Sequence, residues 1–324
     1  MKAVVQDSYG SADVLEVRDI EPPAVGAGEV RLRVRAASAG VGDRHVMTGL
    51  PYLIRVFGYG LRRPKARVRG MDVAGSVEEA GADVTRFRPG DEVFGTCDGS
   101  FAEYACARQD RITHQPANLT AEQAAAVPSS GVAALQGLRD RGRIQSGQSV
   151  LVIGAGGAVG TFAVQLAKAF GARVTGVCST AKTDLVRSLG ADEVIDYTQE
   201  DFADGVRRYD LILDTGGNRP LSLLRRALTP RGTLVIVGAE GGGRWLQGSD
   251  RQLRAMLLSP FLRQRLRGLM SVQREKDLRF LAELIEEGRL TPVIDRTYPL
   301  SAAADAMRHL DAGHGRGKVV ITVM

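Results

Sequence analysis

The chain has 324 residues, which is long for one hydrophobic core and suits two. Its formal net charge of +6 comes from scattered basic residues, so we predict no nucleic-acid partner, and no uncharged apolar run reaches about 18 residues, so we predict no membrane span. The three cysteines, Cys97, Cys106 and Cys178, are too widely spaced for a disulfide framework, as expected for a protein of the reducing cytoplasm.

The first third of the chain has the pattern of short β-strands. Residues 1–7 reach an acidic residue before any signal-like apolar run forms, and therefore predict a first strand and not a targeting peptide. Residues 30–36 alternate apolar and basic side chains at a period of two, which predicts a half-buried strand. Many glycines and prolines punctuate the rest, so we expect a small, mostly antiparallel domain.

The pattern changes near Thr120. Residues 120–123 have the form of a capping box, and the alanine-rich stretch that follows predicts a helix to Val127. From Ser149 onward, predicted strands (150–153, 173–178, 193–196, 211–214 and 233–237) alternate with predicted helices (159–170, 182–189 and 220–228). Alternation of this kind, with near-continuous apolar strands, predicts a parallel sheet covered by helices on both faces.

Two helices and a last strand are predicted after this sheet. Residues 251–267 predict a basic, amphipathic helix with a solvated arginine face, and a lid or subunit-contact role remains an alternative. Residues 277–287 predict another helix, and residues 317–323 predict a strand with no helix after it. We expect that strand to return to the first domain, so that residues 1–122 and 289–324 flank a nucleotide-binding domain of residues 123–288.

The strongest functional signal is a glycine-rich turn between a predicted strand and a predicted helix. A turn of this kind brings exposed N–H groups, at the positive end of the helix, close to a pyrophosphate. Ala155, Gly157 and Gly160 stand at the three fingerprint positions, so the strand–turn–helix context carries the prediction more than the spacing does. The predicted pyrophosphate site comprises Ala155, Gly156, Gly157, Ala158, Val159 and Gly160.

The end of the second strand of this unit predicts the choice of cofactor. An NAD enzyme usually places Asp or Glu there, about 20 residues beyond the turn, to hold the ribose 2′-hydroxyl. This chain has Ser179, Thr180 and Lys182 instead, which predicts NADPH, with the 2′-phosphate bound by hydroxyls and a lysine. The alternative is that Ser179 caps the next helix and Lys182 is solvated. Tyr197, Thr215 and Gly238 complete the predicted cofactor site.

Several further segments are characteristic when taken together: residues 70–75, 87–93, 99–104, 165–168, 190–192, 195–197 and 317–320. With them the chain resembles the medium-chain dehydrogenase/reductase superfamily, and within it the zinc-independent, zeta-crystallin-like quinone oxidoreductases. The resemblance extends over essentially the whole chain. It implies an α/β protein in which a GroES-like, mostly β catalytic domain accompanies a Rossmann domain with a doubly wound parallel sheet.

The resemblance also implies that no zinc is bound. Zinc alcohol dehydrogenases of the same superfamily carry metal ligands where this chain has Gly40, Met71 and Ser130, and none of these three is a competent zinc ligand. Without a Lewis acid, forming an alkoxide from an alcohol is difficult near neutral pH. A quinone or an α,β-unsaturated ketone instead delocalises the charge that arrives with a hydride.

We therefore predict an NADPH-dependent reductase of quinones or enones that acts as a homodimer. The candidate proton donors are His45, Asp43 and Tyr52. His45 stands where related quinone reductases carry a tyrosine, although a structural role for it stays open. Ser130, beside Ser129, belongs to the helix turn that faces the nicotinamide in this family. Two other functions also stay open: a 2-enoyl-thioester reductase, and an NADPH-binding structural or regulatory protein with little turnover.

Overall fold

The computed structural model describes residues 1–238, 243–246 and 248–323. The chain divides into two compact units, one formed by residues 1–129 and 273–324 and the other by residues 130–272. None of the described helices is both long and apolar enough to cross a membrane. Helices and strands are numbered below in chain order across both units.

The first unit is built on a seven-stranded sheet and a two-stranded ribbon. The ribbon pairs β1 with β2, the larger sheet has the order β14-β15-β3-β4-β5-β7, and β6 also pairs with β3. All of these pairings are antiparallel except that of β14 with β15. The strands are β1 (Lys2–Val5), β2 (Glu16–Asp19), β3 (Glu29–Ala39), β4 (Asp72–Ala80), β5 (Glu92–Thr96), β6 (Tyr104–Arg108), β7 (Ile112–His114), β14 (Ile294–Pro299) and β15 (Lys318–Thr322).

Short helices join these strands. Thr120 and Gln123 form the predicted capping box, in which each side chain accepts a hydrogen bond from the other residue's backbone N–H. The helix that it begins ends at Ala125, before Val127, and a new helix starts at Pro128. The helices of this unit are α1 (Val41–Thr48), α2 (Tyr52–Ile54), α3 (Ala121–Ala125), the start of α4 (Pro128–Leu135), α9 (Glu275–Glu286) and α10 (Ala303–Asp311).

Strand β3 shows why the alternating sequence folds as it does. Val30, Leu32 and Val34 are buried in the core of the first unit, whereas the arginines between them point outward. Arg31 forms ion pairs with Glu78 and Glu79. The strand predicted for residues 30–36 is therefore present, and it extends to Ala39.

The end of the chain returns to the first unit. The sequence predicted this return because no helix follows the last predicted strand. Strand β15 pairs with β3 on one side and with β14 on the other. Helix α9 also lies in this unit, although the sequence placed residues 123–288 in the nucleotide-binding domain. The backbone N–H of Glu275 donates to Asp110, and its carboxylate pairs with Arg86. Amphipathic periodicity predicts a helix of this kind but not the sheet against which it packs.

The second unit is a six-stranded parallel sheet. Its strand order is β10-β9-β8-β11-β12-β13, and every neighbouring pair is parallel. This arrangement agrees with the sheet predicted from the alternating strand and helix patterns. The elements are β8 (Ser149–Ile153), α5 (Ala158–Ala169), β9 (Arg173–Cys178), α6 (Thr183–Ser188), β10 (Glu193–Asp196), β11 (Tyr209–Asp214), α7 (Leu221–Arg226), β12 (Leu228–Ile236), α8 (Ser249–Leu258) and β13 (Arg265–Gly268).

The single helix predicted for residues 251–267 is wrong. Helix α8 ends at Leu258, a short 3₁₀ turn that contains Pro260 follows, and Arg265–Gly268 forms the edge strand of the sheet. A proline inside a helix lacks the N–H that the backbone ladder needs. In β13 the buried Leu266 alternates with Arg265 and Arg267. This alternation is typical of a strand, and the prediction of a helix did not take it into account.

Candidate active site

The glycine-rich turn joins β8 to α5. Gly154 adopts a left-handed φ of 80°, which favours glycine, whereas Ala155 does not have a positive φ and is therefore tolerated there. A Cβ atom on Gly160 would lie 2.0 Å from the carbonyl oxygen of Gly154. Only glycine therefore lets the first turn of α5 approach this loop so closely.

The start of α5 is suited to bind a phosphate. Gly157 is the N-cap residue and has no side chain with which to cap the helix. The first N–H groups of a helix have no intrahelical partner and lie at its positive end, so those of Ala158, Val159 and Gly160 are directed toward an anion bound at the turn. A nicotinamide dinucleotide fits this turn through its pyrophosphate.

Lys182 lies against the same turn. A Cβ atom added to Gly156 would come within 2.8 Å of Cδ of Lys182, so the aliphatic part of the lysine passes directly over this glycine. Ser179 precedes the 3₁₀ turn that contains Lys182, but its side chain makes no capping hydrogen bond. The structure thus brings Lys182 and the glycine-rich turn together, as the predicted cofactor site requires.

The neighbourhood of Thr180 differs from the predicted one. Its hydroxyl donates to the carboxylate of Asp196 at 2.5 Å, and the hydroxyl and backbone N–H of Thr198 donate to the same carboxylate. The hydrogen bond from Thr180 is the main reason why the pKa of Asp196 is lower than usual. An ionised acid therefore stands beside Thr180. Sequence reasoning missed this contact because Asp196 is the last residue of a different strand, β10.

Tyr197 has a cation beside its ring that sequence reasoning also missed. The guanidinium of Arg219 lies 5.5 Å from the ring centroid. The loop that carries Arg219 is held by Asp214, which is fully buried, pairs with Arg251 and accepts a hydrogen bond from Gly217. Arg251 also donates to the backbone carbonyl of Arg219 at 2.8 Å.

Thr215 and Gly238 meet at the carboxyl ends of β11 and β12. The hydroxyl of Thr215 donates to the carbonyl of Ile153 at 2.7 Å. A Cβ atom on Gly238 would lie 2.3 Å from the carbonyl oxygen of Thr215. Thr215 therefore connects β11 to the end of β8, where the glycine-rich turn begins, and Gly238 permits the close approach of the two loops.

The first unit contains a buried polar cluster around Asp72. Lys318 donates to one carboxylate oxygen at 2.9 Å, and the hydroxyl of Ser38 donates to the same oxygen at 2.9 Å. The other oxygen accepts hydrogen bonds from the backbone N–H and the hydroxyl of Ser129. The side chains of Lys318 and Asp72 are 1% and 2% exposed. The sequence alone identified these two residues only as part of the family resemblance, and did not predict that they form an ion pair.

Asp43 lies next to this cluster. It is buried, and its carboxylate accepts a hydrogen bond from the backbone N–H of Gly40 at 2.9 Å. Burial, followed by the neighbouring charge of Asp72, raises the pKa of Asp43 to about 7, although Lys318 opposes the shift. Asp43 is therefore able to hold or release a proton near neutral pH.

His45 and Tyr52 lie on the segment that follows Asp43. The Nδ1 atom of His45 is 2.8 Å from the carbonyl oxygen of Leu50, so in this tautomer Nδ1 carries the proton. The ring of Tyr52 packs against the guanidinium of Arg55 at 4.8 Å. Ser130, the remaining predicted catalytic residue, is buried and belongs to the second unit.

The absence of zinc stays a prediction, and it depends on the resemblance that places Gly40, Met71 and Ser130 at the positions of metal ligands in related dehydrogenases. Within residues 1–238, 243–246 and 248–323, no group of three or more His, Cys, Asp and Glu side chains is arranged to hold a metal ion.

Models of three protein families match the chain. Residues 26–117 match the alcohol dehydrogenase GroES-like domain, and residues 132–227 match the C-terminal domain of alanine dehydrogenase/PNT. Residues 189–321 match the family described as zinc-binding dehydrogenase. Together they assign a GroES-like domain to the first unit and a dinucleotide-binding type of domain to the second.

Full-length similarity extends to characterised reductases. The chain is 33% identical to the chloroplastic quinone-oxidoreductase QR1 of Triphysaria versicolor, with 99% of this chain and 98% of that protein covered. It is 31% identical to the mitochondrial NAD(P)H oxidoreductase RTN4IP1 of Mus musculus, with 100% and 89% covered. The solved quinone oxidoreductase of Coxiella burnetii is 29% identical and superposes with a TM-score of 0.84, with 100% and 99% of the chains covered.

The raised pKa of Asp43 predicts a pH-dependent stability difference. The folded state holds a proton on Asp43 up to about pH 7, whereas the unfolded chain releases it near the usual pKa of 3.8. The wild-type protein therefore loses stability as the pH rises between these values. Because asparagine does not titrate, Asp43→Asn should stabilise the protein relative to wild type by more at about pH 8 than at about pH 5, by at least about 1.4 kcal/mol.

Urea unfolding at both pH values measures this difference. Asp184→Asn is the control, because Asp184 is an almost fully exposed carboxylate on α6. A Asp43→Asn difference that stays constant across the pH range would show that Asp43 titrates as an ordinary carboxylate.

Proposed function

The chain belongs to the medium-chain dehydrogenase/reductase superfamily, in its quinone oxidoreductase branch, and on this basis we propose that it transfers a hydride from NADPH to a quinone or an α,β-unsaturated carbonyl compound. The observation that carries the proposal is the glycine-rich turn at residues 154–160. Its backbone packs closely on the first turn of α5, and the N–H groups that begin this helix have no side-chain cap, so the turn suits a dinucleotide pyrophosphate. The full-length relatives are quinone and NAD(P)H oxidoreductases, which supports the same chemistry.

A reduced nicotinamide supplies the hydride when it is bound, and the side chains of this protein have the remaining tasks. The turn at residues 154–160 binds and orients the dinucleotide. The acceptor must be positioned, and the oxygen on which charge develops must meet hydrogen-bond donors. In our proposal these donors are Tyr52, Ser130 and His45. Because Nδ1 of His45 donates to Leu50, His45 donates to the acceptor only when its Nε2 is also protonated. Asp43 holds a proton close to His45 in the sequence.

We propose that this chemistry proceeds without zinc. The side chains of Gly40, Met71 and Ser130 do not provide a zinc site, and a conjugated acceptor delocalises the negative charge that a Lewis acid would otherwise stabilise. One matching family carries zinc in its description, so the metal content needs a direct test.

NADPH is favoured over NADH by the cations near the end of β9. Lys182 lies over the glycine-rich turn, and Arg219 lies beside Tyr197. Both are able to pair with a 2′-phosphate, which is a doubly charged group that arginine and lysine bind through charge-assisted hydrogen bonds. Asp196 opposes this preference, but its carboxylate already accepts three hydrogen bonds from Thr180 and Thr198.

Lys182→Ala should therefore weaken NADPH binding by about tenfold or more, and NADH binding by less than about threefold, because only NADPH carries the phosphate that pairs with the lysine. Fluorescence titration with each cofactor measures both dissociation constants. Lys168→Ala is the matched control, because Lys168 pairs with Asp192 away from the turn. Equal weakening of the two cofactors would show that Lys182 does not recognise the phosphate.

The function itself is tested by the oxidation of NADPH across a panel of quinones and enones, with and without EDTA. We expect turnover that EDTA does not change. Inhibition by EDTA that zinc reverses would contradict the metal-free reaction.

The same panel tests the proton donors. A quinone stabilises its own anion, so His45→Ala and Tyr52→Phe should lower kcat by less than about tenfold with quinones and by more with simple enones, for which a positioned acid contributes about 10²–10⁴-fold. Loss of all quinone turnover in either variant, with NADPH still bound, would make that residue an obligatory acid.

The two other functions have less support. A 2-enoyl-thioester reductase would use a single basic helix over residues 251–267 to contact its carrier. In the structure this segment is a helix, a 3₁₀ turn and a strand, so the support for that function is weaker. A structural or regulatory NADPH-binding protein would bind the cofactor tightly and consume none of it across the same panel.

We also propose that the protein is a homodimer. Several large apolar side chains on α8 and the turn after it are exposed, including Leu257 at 73% and Phe261 at 87%, and apolar side chains grouped in this way favour contact with another protein surface. Sedimentation velocity tests the assembly, and the mass of a single chain would contradict it.

The cytoplasm is the location that we propose. Cys97, Cys106 and Cys178 are all free thiols, as a reducing compartment favours. Two of the relatives named above, QR1 and RTN4IP1, are chloroplastic and mitochondrial, respectively. Microscopy of the tagged full-length protein distinguishes these locations, and confinement to an organelle would contradict the proposal.

A further inference from the structure

Arg69 is a buried cation that forms no ion pair with a carboxylate of the described residues, although Asp43 and Asp98 lie close enough to influence its charge. Its side chain is 4% exposed, and one guanidinium nitrogen donates to the backbone carbonyl of Ala66. The Nε atom has no hydrogen-bond partner, and within the described part of the chain no carboxylate lies at ion-pair distance from Arg69. Burial lowers the pKa of Arg69, which shows the cost of keeping this charge away from water. A buried charge of this kind normally has a counter-ion.

Arg69 lines a cavity of about 610 Å³ in the first unit. The volume lies within the range of about 300–1,000 Å³ that is typical of sites for small molecules. Two further cations, Lys65 and Arg111, line the same cavity and are exposed to solvent, and neither has an ion-pair partner in the described part of the chain. Apolar surface lies between the charges, contributed by Val46, Pro64, Val68 and Met71.

The anionic groups of the cavity limit what it binds. Asp43 and Asp98 also line it. Asp98 is exposed, and Asp43 has its pKa raised to about 7. Three cations facing one or two carboxylates leave a small positive excess. When both acids are ionised the excess is a single positive charge, which a carboxylate group neutralises.

We propose that this cavity is an acceptor subsite that binds a carboxylate group, with Arg69 as its counter-ion, so that the enzyme prefers enones that bear a carboxylate. This inference rests on the proposed function, because it takes the ligand to be the acceptor. The planar guanidinium fork of arginine matches a carboxylate. Lys65 and Arg111 attract the anion from solvent, and Asp43, the candidate proton donor, lines the same space as the bound acceptor.

Two matched acceptors test the preference: trans-4-oxo-2-pentenoate and its methyl ester. They share the same conjugated ketone, but only the acid is charged at pH 8, and the ester is intrinsically the better hydride acceptor. A preference for the acid therefore cannot come from reactivity. We expect the wild-type kcat/KM to favour the acid by about tenfold or more, because only the acid forms a charge-assisted hydrogen bond with Arg69.

Arg69→Met should lower the acid-to-ester ratio of kcat/KM by about tenfold or more. Arg67→Met is the matched control, because Arg67 lies two residues away, pairs with Asp7 on the surface and does not line the cavity. It should leave the ratio within about twofold of wild type, as expected for an exposed ion pair. Should Arg69→Met fail to fold, the surface double variant Lys65→Met with Arg111→Met should lower the ratio by about threefold and make it less sensitive to salt.

Binding of 4-oxopentanoate, the saturated acid that cannot be reduced, separates this inference from the proposed function. Calorimetry should detect its binding to wild type and to Arg67→Met, and a loss of about tenfold or more in Arg69→Met. If quinones and the ester are reduced but the acid is neither preferred nor bound, the subsite is wrong and the function stands. If no acceptor is reduced, the function is wrong, and binding that depends on Arg69 would support a carboxylate-binding site that is not an acceptor subsite.

Discussion

The buried ion pair between Lys318 and Asp72 is the interaction on which the candidate active site of the first unit depends. Lys318 comes from the last strand, β15, and Asp72 begins β4, so the pair joins residues that are 246 positions apart. Ser38 of β3 and Ser129 of α4 complete the hydrogen bonds of the carboxylate. Removing both charges from water is costly, and full hydrogen bonding of both carboxylate oxygens offsets that cost.

This pair also influences Asp43. Burial is the largest cause that raises the pKa of Asp43 to about 7. The negative charge of Asp72 adds to the rise, and the positive charge of Lys318 limits it. Asp43 precedes His45 on α1 and lines the cavity that contains Arg69, so the same balance influences both the candidate proton donor and the proposed acceptor subsite.

Local patterns in the sequence predicted the features that depend on neighbouring residues. The alternation in β3, the strand Arg173–Cys178 and the glycine-rich turn are all present where they were expected. Several features that depend on distant residues were missed, although the return of the last strand to the first unit was predicted. Asp196 meets Thr180 from another strand, α9 packs in the first unit, and the burial of Arg69 with an unpaired Nε depends on how the chain folds around it. A single sequence carries no local signal for such contacts.

A double-mutant cycle on Lys318 and Asp72 tests the central claim most directly. Lys318→Met leaves a buried carboxylate without its counter-ion, and we expect it to lower the free energy of unfolding by about 3–5 kcal/mol. Combining it with Asp72→Asn should cost clearly less than the sum of the two single changes. Lys168→Met, which removes the more exposed pair with Asp192, should cost at most about 1 kcal/mol. If Lys318→Met costs no more than this control, and the two changes at the buried pair are additive, the pair does not organise the site.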